Sequence, residues 1–213
     1  MPGLIKIIIV DDHAVVRKGL KQIFDETPDL KVIDEAGTGN ELIDKIRKKK
    51  YDVVLLDISM PGRDGLDTLK EIKSIRSELP VLIFTVYPED QYAVRVLRAG
   101  AAGYINKESE PEELIEAIRK VARGRKYISP FLAELLASNL ETGGETPLHE
   151  NLSDREFQVM CKIASGKKVT QIAQELSLSI NTISTYRNRI LEKMNLKSNA
   201  EITHYSIKNN LVD

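Results

Sequence analysis

The segment 53–57 constrains the fold of this chain more than any other. Residues 53–56 form a continuous run of valine and leucine, which is typical of a strand buried on both faces of a parallel sheet. The run stops at Asp57, and Pro61 and two glycines follow, so the chain leaves the sheet where the carboxylate appears. Open α/β sheets bind their ligands at this end of the strands, although Asp57 alone would equally suit the cap of the next helix.

The same pattern of a strand followed by a helix recurs along the first part of the chain. Asn40 has a side chain suited to capping and is predicted as the N-cap of the second helix. The alternation predicts a five-stranded parallel sheet with helices on both faces. Strands are expected at 4–10, 30–36, 51–57, 80–85 and 103–106, and amphipathic helices from residue 14 and at 40–49, 66–75, 91–99 and 112–122.

Functional side chains follow four of these strands. Asp11 and Asp12 follow the first strand, Asp57 follows the third, Thr85 ends the fourth and Lys107 follows the fifth. Clustered carboxylates repel one another, and a hard divalent cation such as Mg²⁺ removes that repulsion while binding oxygen ligands. Lys107 and Thr85 would supply an ammonium and a hydroxyl for an anion. The set therefore matches a Mg²⁺ site where a carboxylate accepts a phosphoryl group.

Length and composition narrow the class of protein. A chain of 213 residues fits one large or two modest domains. Because the sequence has no apolar run of membrane-spanning length, we expect a cytoplasmic protein. Cys161 is the single cysteine, which excludes an intrachain disulfide, and its apolar neighbours predict a buried position. From His149 onward the chain has nine Lys and Arg and seven Asp and Glu, a net charge of +2. The part before His149 has 22 Lys and Arg and 25 Asp and Glu, a net charge of −3. The asymmetry suggests two modules with different partners.

Together the strand-end motifs resemble the receiver domain of bacterial two-component response regulators, over about residues 4–123. The resemblance implies the flavodoxin-like strand order and phosphorylation of Asp57 by a sensor histidine kinase. It also implies Mg²⁺ held by Asp12, Asp57 and the backbone carbonyl of Ser59, with Asp11 acting largely through water. The motifs are Asp11-Asp12-His13, Leu55-Leu56-Asp57 with Met60-Pro61 and Gly65, Thr85, and Gly103-Tyr104-Ile105-Asn106-Lys107.

Thr85 and Tyr104 would form the switch pair of such a receiver, in which the hydroxyl moves toward the phosphate and the ring follows. Taken alone, Thr85 is more often a turn former and Tyr104 a half-buried aromatic of an edge strand. Val86 and Asn106 depart from the residues usual in the family, and both bear on the lifetime of the phosphoryl group. The bond after the family's lysine is often cis, and here it would join Lys107 to Glu108. His13 is interpreted as a helix-start residue.

Residues 125–149 are expected to link a domain at 1–124 to a second at 150–213. Ser129 and Pro130 are predicted as the N-cap and first residue of a helix whose leucines give it an apolar face. Two glycines and Pro147 between residues 141 and 150 mark the domain boundary. We expect the leucine-rich helix to pack on one of the domains, with a dimer contact as the alternative.

The last part of the chain predicts four helices. Ser153 and Glu156 have the spacing of a capping box at the start of the first. A short helix, a tight turn and a third helix capped by Ser179 or Asn181 form a helix-turn-helix arrangement. The fourth helix, 198–208, is the expected dimer contact of this domain.

The third of these helices has an apolar and a polar stripe. Its apolar stripe is expected to face the core and comprises Ile183, Tyr186, Ile190 and Met194. Its polar stripe can enter a DNA groove, where Asn188 can pair with adenine, while flanking basic residues suit phosphates. An ordinary solvated helical face is the alternative. The residues expected to contact DNA are Lys168, Thr170, Asn181, Thr182, Ser184, Thr185, Arg187, Asn188, Arg189 and Lys193.

This part resembles a LuxR-type DNA-binding domain, and the whole chain is similar to NarL/FixJ-type response regulators. Ser184 stands where the family commonly has a basic residue, so base preference does not carry over. The resemblance implies a phosphorylation-dependent transcriptional regulator that dimerises on phosphorylation and binds double-stranded promoter DNA. The motifs are Leu152-Ser153 with Glu156, Ile163-Ala164 with Gly166, Ile172-Ala173 with Leu176, Ser179 with Asn181-Thr182-Ile183, and Ile190 with Lys193-Met194.

Two other readings of the first domain remain open. One is a small phosphotransferase or phosphatase with Asp57 as nucleophile. That enzyme would need a second acid-base group and an element covering the substrate, neither of which is visible, and it would leave the last four helices without a role. The other is a receiver that acts without phosphorylation. We expect no turnover beyond self-dephosphorylation.

Overall fold

The chain divides into two compact units, Met1–Glu134 and Leu135–Asp213. The computed structural model describes residues 3–60, 65–141, 147–209 and 211–212. In these ranges the first unit combines strands with helices and the second is helical. The predicted fold class, an α/β domain followed by an all-α domain, is therefore confirmed.

A five-stranded parallel sheet forms the centre of the first unit, in the order β2-β1-β3-β4-β5. This is the flavodoxin-like order that the resemblance implied. Val10 pairs with Leu56 and Leu56 with Ile83, so the carboxyl ends of three neighbouring strands lie level with one another. The strands are β1 (Ile5–Val10), β2 (Leu30–Ala36), β3 (Val53–Leu56), β4 (Val81–Thr85) and β5 (Gly103–Asn106).

Both faces of this sheet are buried. Alternate residues of β1 and β3 pack with Phe24 and Ile118 from two helices in one apolar cluster. The intervening residues Ile8, Val54 and Leu56 are fully buried as well and point to the opposite face. Burying one such side chain contributes about 1.5–3 kcal/mol. The apolar run therefore fixes β3 at the centre of the sheet, as predicted.

A helix follows each strand, at bounds within two residues of those predicted, but the N-cap of the second was predicted wrongly. Thr38 Oγ1 accepts a hydrogen bond from the Glu41 amide at 3.2 Å, whereas Asn40 lies inside the helix. The helix starts earlier because Gly39 belongs to it and packs closely on Thr68, where a Cβ would meet the threonine Oγ1 at 2.3 Å. The helices are α1 (Ala14–Asp25), α2 (Gly39–Lys48), α3 (Gly65–Ile75), α4 (Glu89–Arg98) and α5 (Pro111–Ala122).

The segment after α5 docks on the sheet of the first unit. Tyr127 forms a parallel β-bridge with Gly103 of β5, and it is buried in the same apolar cluster as α5. Ser129 Oγ accepts a hydrogen bond from the Leu132 amide at 3.0 Å, which confirms it as the N-cap of α6 (Pro130–Glu141). The predicted boundary glycines at 143 and 144, like Pro61 and Gly62, lie outside the described residues.

The second unit consists of short helices closed by side-chain caps. Ser153 and Glu156 form the predicted capping box, and Cys161 is buried as expected. Ser179, rather than Asn181, caps the third helix by accepting from the Thr182 amide at 3.0 Å. A short 3-10 helix (Leu148–Asn151) precedes α7 (Asp154–Ala164), α8 (Val169–Glu175), α9 (Ile180–Lys193) and α10 (Asn199–Lys208).

Candidate functional site

The carboxyl edge of the sheet brings together side chains that lie far apart in the chain. The Lys107 ammonium lies 2.6 Å from Oδ2 of Asp11 and 2.6 Å from Oδ2 of Asp57. Both carboxylates are 1 % exposed, since each directly follows a buried strand. The predicted meeting of these residues at one edge of the sheet is therefore seen in the structure.

The Asp57 carboxylate is held by donors on both of its oxygens. The Ser59 amide donates to Oδ1 at 2.8 Å, and the Ser59 hydroxyl donates to Oδ2 at 2.6 Å. Lys107 donates to the same Oδ2. Such contacts orient a buried carboxylate. Asp57 is therefore better described as a positioned anion than as the cap of the next helix.

Lys107 balances two buried negative charges. Burial opposes the charged ammonium, but attraction to Asp57 and hydrogen bonds to Asp11 and Asp57 outweigh it and raise the pKa of Lys107. The lysine is therefore protonated throughout the physiological range. Its three donors allow it to contact both carboxylates while keeping one for a further anion. The peptide bond between Lys107 and Glu108 is trans, as are all the others in the described part of the chain.

Asp11, Asp12 and Asp57 form an acidic cluster whose donor set fits a divalent cation. One donor atom from each of them and one from His13 all lie within 4.8 Å of one another. Among the described residues, Asp12 Oδ1 is buried and makes no hydrogen bond, although the His13 ring lies 3.0 Å away, and an approaching cation would offset the cost of burying it. Oxygen donors of this kind suit Mg²⁺ and similar ions. The structure thus supports a metal site at this edge, as the strand-end carboxylates predicted.

Two neighbours of the acidic cluster were missed from the sequence. His13 is the N-cap residue of α1, which confirms its interpretation as a helix-start residue, but its ring is also hydrogen-bonded to Asp11 Oδ1 at 3.2 Å and lies 3.0 Å from Asp12 Oδ1. Arg17 donates to the backbone oxygen of Asp11 at 2.6 Å. Arg17 is four residues after His13, the N-cap residue of α1, and the Arg17 amide donates to the His13 carbonyl at 3.2 Å. That spacing was the available signal.

The hydroxyl groups of Thr85 and Tyr104 are buried in contrasting ways. Thr85 is fully buried, and its Oγ1 finds no hydrogen-bond partner among the described residues. Tyr104 lies on the edge strand β5 but is fully buried rather than half-buried, and its hydroxyl donates to the Tyr87 carbonyl at 2.7 Å. Burial raises the pKa of Tyr104, which keeps that hydroxyl protonated as a donor. The ring thus holds the loop that leads from β4 into α4.

The start of α4 also contacts the N-cap of α6. The Ser129 hydroxyl donates to Glu89 Oε2 at 2.6 Å, and Glu89 is the first residue of α4. Burial raises the pKa of Glu89 despite this hydrogen bond. Tyr87 and Pro88, whose carbonyls the Tyr104 hydroxyl contacts, directly precede Glu89. A continuous set of contacts therefore leads from Tyr104 to the first turn of α6.

A cavity of about 600 Å³ lies elsewhere in the first unit. Its lining includes Tyr51, Asp52 and Pro80, which precede β3 and β4 and so lie at the opposite edge of the sheet. The acidic cluster does not line it. The carboxylates thus lie at the opposite edge of the sheet from this cavity.

In the second unit, α8 and α9 form the predicted helix-turn-helix. Ser177 adopts a left-handed conformation with φ of 53° between them, and the Leu178 amide returns to the Ala173 carbonyl at 2.9 Å. Ile183 and Ile190 of α9 are fully buried and Met194 nearly so, as predicted, while Tyr186 is half-buried. The apolar stripe therefore packs α9 against the core of the second unit.

The residues expected to contact DNA are exposed or half-buried, so none is hidden in the core. The exposed residues are Lys168, Thr170, Asn181, Thr185, Asn188, Arg189 and Lys193, and the half-buried ones are Thr182, Ser184 and Arg187. Most lie on α9, and Lys168 and Thr170 lie at the start of α8. These two helices pack against each other in the second unit.

Some of these side chains already have partners within the unit. Arg187 donates through Nε to Asn199 Oδ1 at 2.6 Å, and Thr185 donates to the Asn181 carbonyl at 2.9 Å. Lys193 pairs at 2.7 Å with Glu156, which is 2 % exposed. Lys193 therefore has a structural role that its spacing on α9 did not reveal.

Both units match family models. Residues 7–119 match the response regulator receiver domain, and residues 150–206 match the luxR family of bacterial regulatory proteins. Among the described residues, no helix has the length and apolar composition needed to cross a membrane.

Relatives match the chain along nearly its whole length. The response regulator UvrY of Escherichia coli K12 is 36 % identical over 209 residues, which covers 98 % of this chain and 96 % of UvrY. The response regulator GacA of Pseudomonas aeruginosa is 36 % identical over 211 residues, covering 99 % of each chain. RcsB from Salmonella enterica serovar Typhimurium, in a structure bound to a promoter with phosphomimetic BeF₃⁻, aligns with a TM-score of 0.60 and 27 % identity. That alignment covers 94 % of this chain and 97 % of RcsB. The chain therefore belongs to the two-component response regulators that join a receiver domain to a LuxR-type DNA-binding domain.

Proposed function

We propose that Asp57 accepts a phosphoryl group from a sensor histidine kinase and that this controls the binding of promoter DNA. The observation that carries the proposal is the Asp57 carboxylate, buried but bounded by Lys107 on one side and Ser59 on the other. This arrangement positions a nucleophile and supplies positive charge for the oxygens of an incoming phosphoryl group.

The residues around Asp57 would divide the work of phosphoryl transfer. An Asp57 oxygen attacks phosphorus, the phosphorus–nitrogen bond of the donor phosphohistidine breaks, and the imidazole leaves and takes a proton from solvent. Asp12, Asp57 and the Ser59 backbone carbonyl would hold Mg²⁺, with Asp11 acting through water. When bound, Mg²⁺ supplies positive charge for the phosphoryl oxygens. Lys107 would direct its remaining donor to the phosphoryl group.

Thr85 and Tyr104 would convert the modification into a change of the surface. The buried Thr85 hydroxyl has no hydrogen-bond partner in the described part of the chain, and a phosphoryl oxygen on Asp57 would provide one. Its movement would open space for the Tyr104 ring and release the carbonyls of Tyr87 and Pro88 at the start of α4. The proposed outcome is dimerisation of the phosphorylated chain.

The second unit would bind double-stranded promoter DNA as a dimer. Helix α9 would enter the major groove, with Ser184, Thr185 and Asn188 near base edges and Arg189 at phosphates. Two copies would meet half-sites about one helical turn apart, with α10 as the contact between them. Support comes from the exposed polar stripe of α9 and from the promoter complex of the relative RcsB.

We propose domain limits of 1–124 and 150–213, with a linker at 125–149 that contains α6. The family matches at 7–119 and 150–206 fall inside these limits. The chain would act in the cytoplasm, where its DNA and the kinase's phosphohistidine are both accessible. Self-dephosphorylation would be its only chemical turnover.

Labelling with a small phosphodonor in Mg²⁺ tests the acceptor. Wild-type chain should gain one phosphoryl group, and Asp57→Ala should gain none. Asp67→Ala, a change at an exposed aspartate of α3, is the matched control and should be labelled like wild type. Persistent stoichiometric labelling of Asp57→Ala would refute the site.

Selection of binding sites from random DNA, with and without phosphodonor, tests the second unit. Arg189→Ala should weaken binding to all sequences and lower the salt slope by about one unit. Asn188→Ala should reduce discrimination between sequences by about 1–3 kcal/mol at one position. If loss in Arg189→Ala is confined to one sequence, its role as a phosphate contact is wrong.

A further inference from the structure

We propose that two adjoining cavities, at the edge of the sheet opposite the acidic cluster, bind a small phosphorylated ligand with an apolar body, the chemical class to which nucleotides belong. The larger is the cavity of about 600 Å³ beside Tyr51 and Pro80, and the second has a volume of about 380 Å³. Both volumes are typical of small-molecule sites. The two linings share Ser77, Glu78, Pro80 and Gly124, so one ligand can reach both cavities.

The smaller cavity, which we call the basic cavity, has an excess of positive charge. Its basic lining residues are Lys73, Arg98, Arg125 and Lys126, and its acidic one is Glu78. Within the described residues, neither Lys73 nor Lys126 is ion-paired with a carboxylate, and both ammonium groups donate to backbone carbonyls instead. A phosphate or polyphosphate group would balance this excess and accept hydrogen bonds from the same cations.

These two lysines differ from the paired lysines of the same unit. Burial and repulsion from Lys126 lower the pKa of Lys73, and burial lowers the pKa of Lys126. For Lys21 and Lys45, in contrast, hydrogen bonds to carboxylates raise the pKa. The charged forms of Lys73 and Lys126 are therefore disfavoured where they lie, and a bound anion would stabilise both.

The Lys73 ammonium lies where the two cavities adjoin. It donates to the Ser77 carbonyl at 3.1 Å and to the Leu79 carbonyl at 2.7 Å. Ser77 lines both cavities, and Leu79 lines the larger one. The stem of the lysine packs on Gly100, where a Cβ would lie 3.3 Å from Lys73 Cγ. The ammonium is thus positioned before a ligand arrives, which lowers the entropic cost of binding.

Contacts with carbonyls account for only part of the donors of these lysines. An ammonium has three donors. Among the described residues Lys73 uses two of them, and Lys126 uses one on the Ala101 carbonyl. The carbonyls carry no net charge, so they leave the positive charge unbalanced. Lys126 is itself fixed beside the cavity, because the next residue, Tyr127, forms the β-bridge with Gly103.

The larger cavity has a lining suited to the apolar part of such a ligand. Its wall includes Ile75, Leu79, Pro80 and Ala122, together with Tyr51. Its lining also contains two basic and two acidic residues, so it has no excess of charge. An apolar or aromatic group would be removed from water there while the phosphate contacts the basic cavity.

Calorimetric titration of the full chain with ATP, pyrophosphate and adenosine, in metal-free buffer containing EDTA, tests this inference. ATP should bind more tightly than pyrophosphate, and adenosine should bind least because it lacks phosphates. Lys73→Met combined with Lys126→Met should lower the ATP affinity about tenfold or more. Lys18→Met combined with Lys31→Met is the matched control, because it removes the same charge from exposed residues that line neither cavity, and it should retain wild-type affinity.

Amide NMR spectra of the full chain locate the bound ligand. The signals of Gly100 and Gly124 should shift when ATP is added, since both glycines line the basic cavity. Arg125→Ala changes an exposed residue and should weaken ATP binding even if loss of the Lys73 contacts unfolds the double variant.

Several results would overturn the inference. They are the absence of ATP binding to wild type, wild-type affinity in Arg125→Ala, and shifts confined to the second unit. Equal affinities for ATP and pyrophosphate would overturn the role of the larger cavity. Because no divalent cation is present, these outcomes are independent of phosphorylation at Asp57, so this inference and the proposed function can fail separately.

Discussion

Lys107 Nζ lies 2.6 Å from Asp57 Oδ2, although the two residues belong to segments that follow different strands. Their side chains are 11 % and 1 % exposed, so water screens the pair weakly. The same ammonium also contacts Asp11. One lysine therefore offsets the charge of two buried carboxylates. Any change of charge at Asp57 directly changes the electrostatic environment of Lys107.

Lys107→Met is expected to destabilise the first unit by about 3 kcal/mol, because it leaves buried carboxylates without a countercharge. Mg²⁺ should return more stability to the variant than to wild type, up to about 2.7 kcal/mol at one hundred times its Kd. Urea unfolding with and without Mg²⁺ measures both effects. Lys49→Met removes a lysine that is 58 % exposed and pairs with Asp34, so it should cost less than about 1 kcal/mol. Equal losses in the two variants would contradict the importance of burial.

Thr85→Val should stabilise the unphosphorylated chain by about 1 kcal/mol, since it replaces a buried hydroxyl that lacks a partner with a methyl group of similar size. It should also remove the response of DNA binding to the phosphodonor. Thr27→Val is the matched control, because the Thr27 hydroxyl donates to the Ile23 carbonyl at 3.1 Å and its loss should be destabilising. Thermal unfolding of both variants gives the comparison, and destabilisation by Thr85→Val would show that its hydroxyl has a partner.

Ser129→Ala should loosen the start of α6, with a loss of about 1 kcal/mol typical of N-cap removal. Faster hydrogen exchange at the Leu132 amide would report it, since that amide donates to Ser129 Oγ. Ser129→Asp retains a cap but places a second carboxylate beside Glu89. If the hydrogen bond to Glu89 holds the start of α4, the Ser129→Asp variant should still disturb α4. If Ser129 acts only as a cap, the Ser129→Asp variant should behave like wild type.

The pairing of Glu156 with Lys193 predicts a pH-dependent stability of the second unit. Burial opposes the Glu156 charge, but hydrogen bonds from Lys193 and Ser153 outweigh it and lower the pKa of Glu156 below 4.5. The pair therefore stabilises the fold above that value, and the contribution is lost as pH falls through the lower folded pKa. Glu156→Gln should cost about 1–2 kcal/mol at pH 7 and little near pH 3.

Urea unfolding of the variant and wild type at both pH values checks that expectation. Glu201→Gln is the control, because Glu201 occupies the same position after Ser198 but is exposed, and within the described residues its side chain accepts only from the Lys197 amide. The control should show a smaller difference at neutral pH. A Glu156→Gln penalty that does not shrink at low pH would assign the effect to packing rather than to charge.

Much of the first unit could be predicted because each strand ends where its apolar run ends. Asp57 follows Leu56 without an intervening residue, so the position of the carboxylate was readable once a parallel sheet was inferred. The N-cap residue of α2 could not be predicted in the same way. Thr38 and Asn40 are both capable caps, and the choice depends on how closely Gly39 packs on Thr68, which only the tertiary structure decides.

Contacts between distant segments account for the rest of what the sequence did not reveal. Lys193 was predicted as a phosphate contact from its place on α9, but its partner Glu156 lies on α7. The bridge between Tyr127 and Gly103 likewise joins the linker to a strand. The contacts of the His13 ring with Asp11 and Asp12 were not predicted, because no second histidine is near it in sequence and its neighbours in space are carboxylates.

The central claim is that phosphorylation of Asp57 controls DNA binding. The most direct measurement is the affinity of the full chain for its selected DNA site, with Mg²⁺ present, before and after treatment with a small phosphodonor. Wild type should bind more tightly after treatment and as a dimer, while Asp57→Asn should show no change. An equal gain of affinity in Asp57→Asn, or phosphorylated wild type that binds no better than before, would contradict the account.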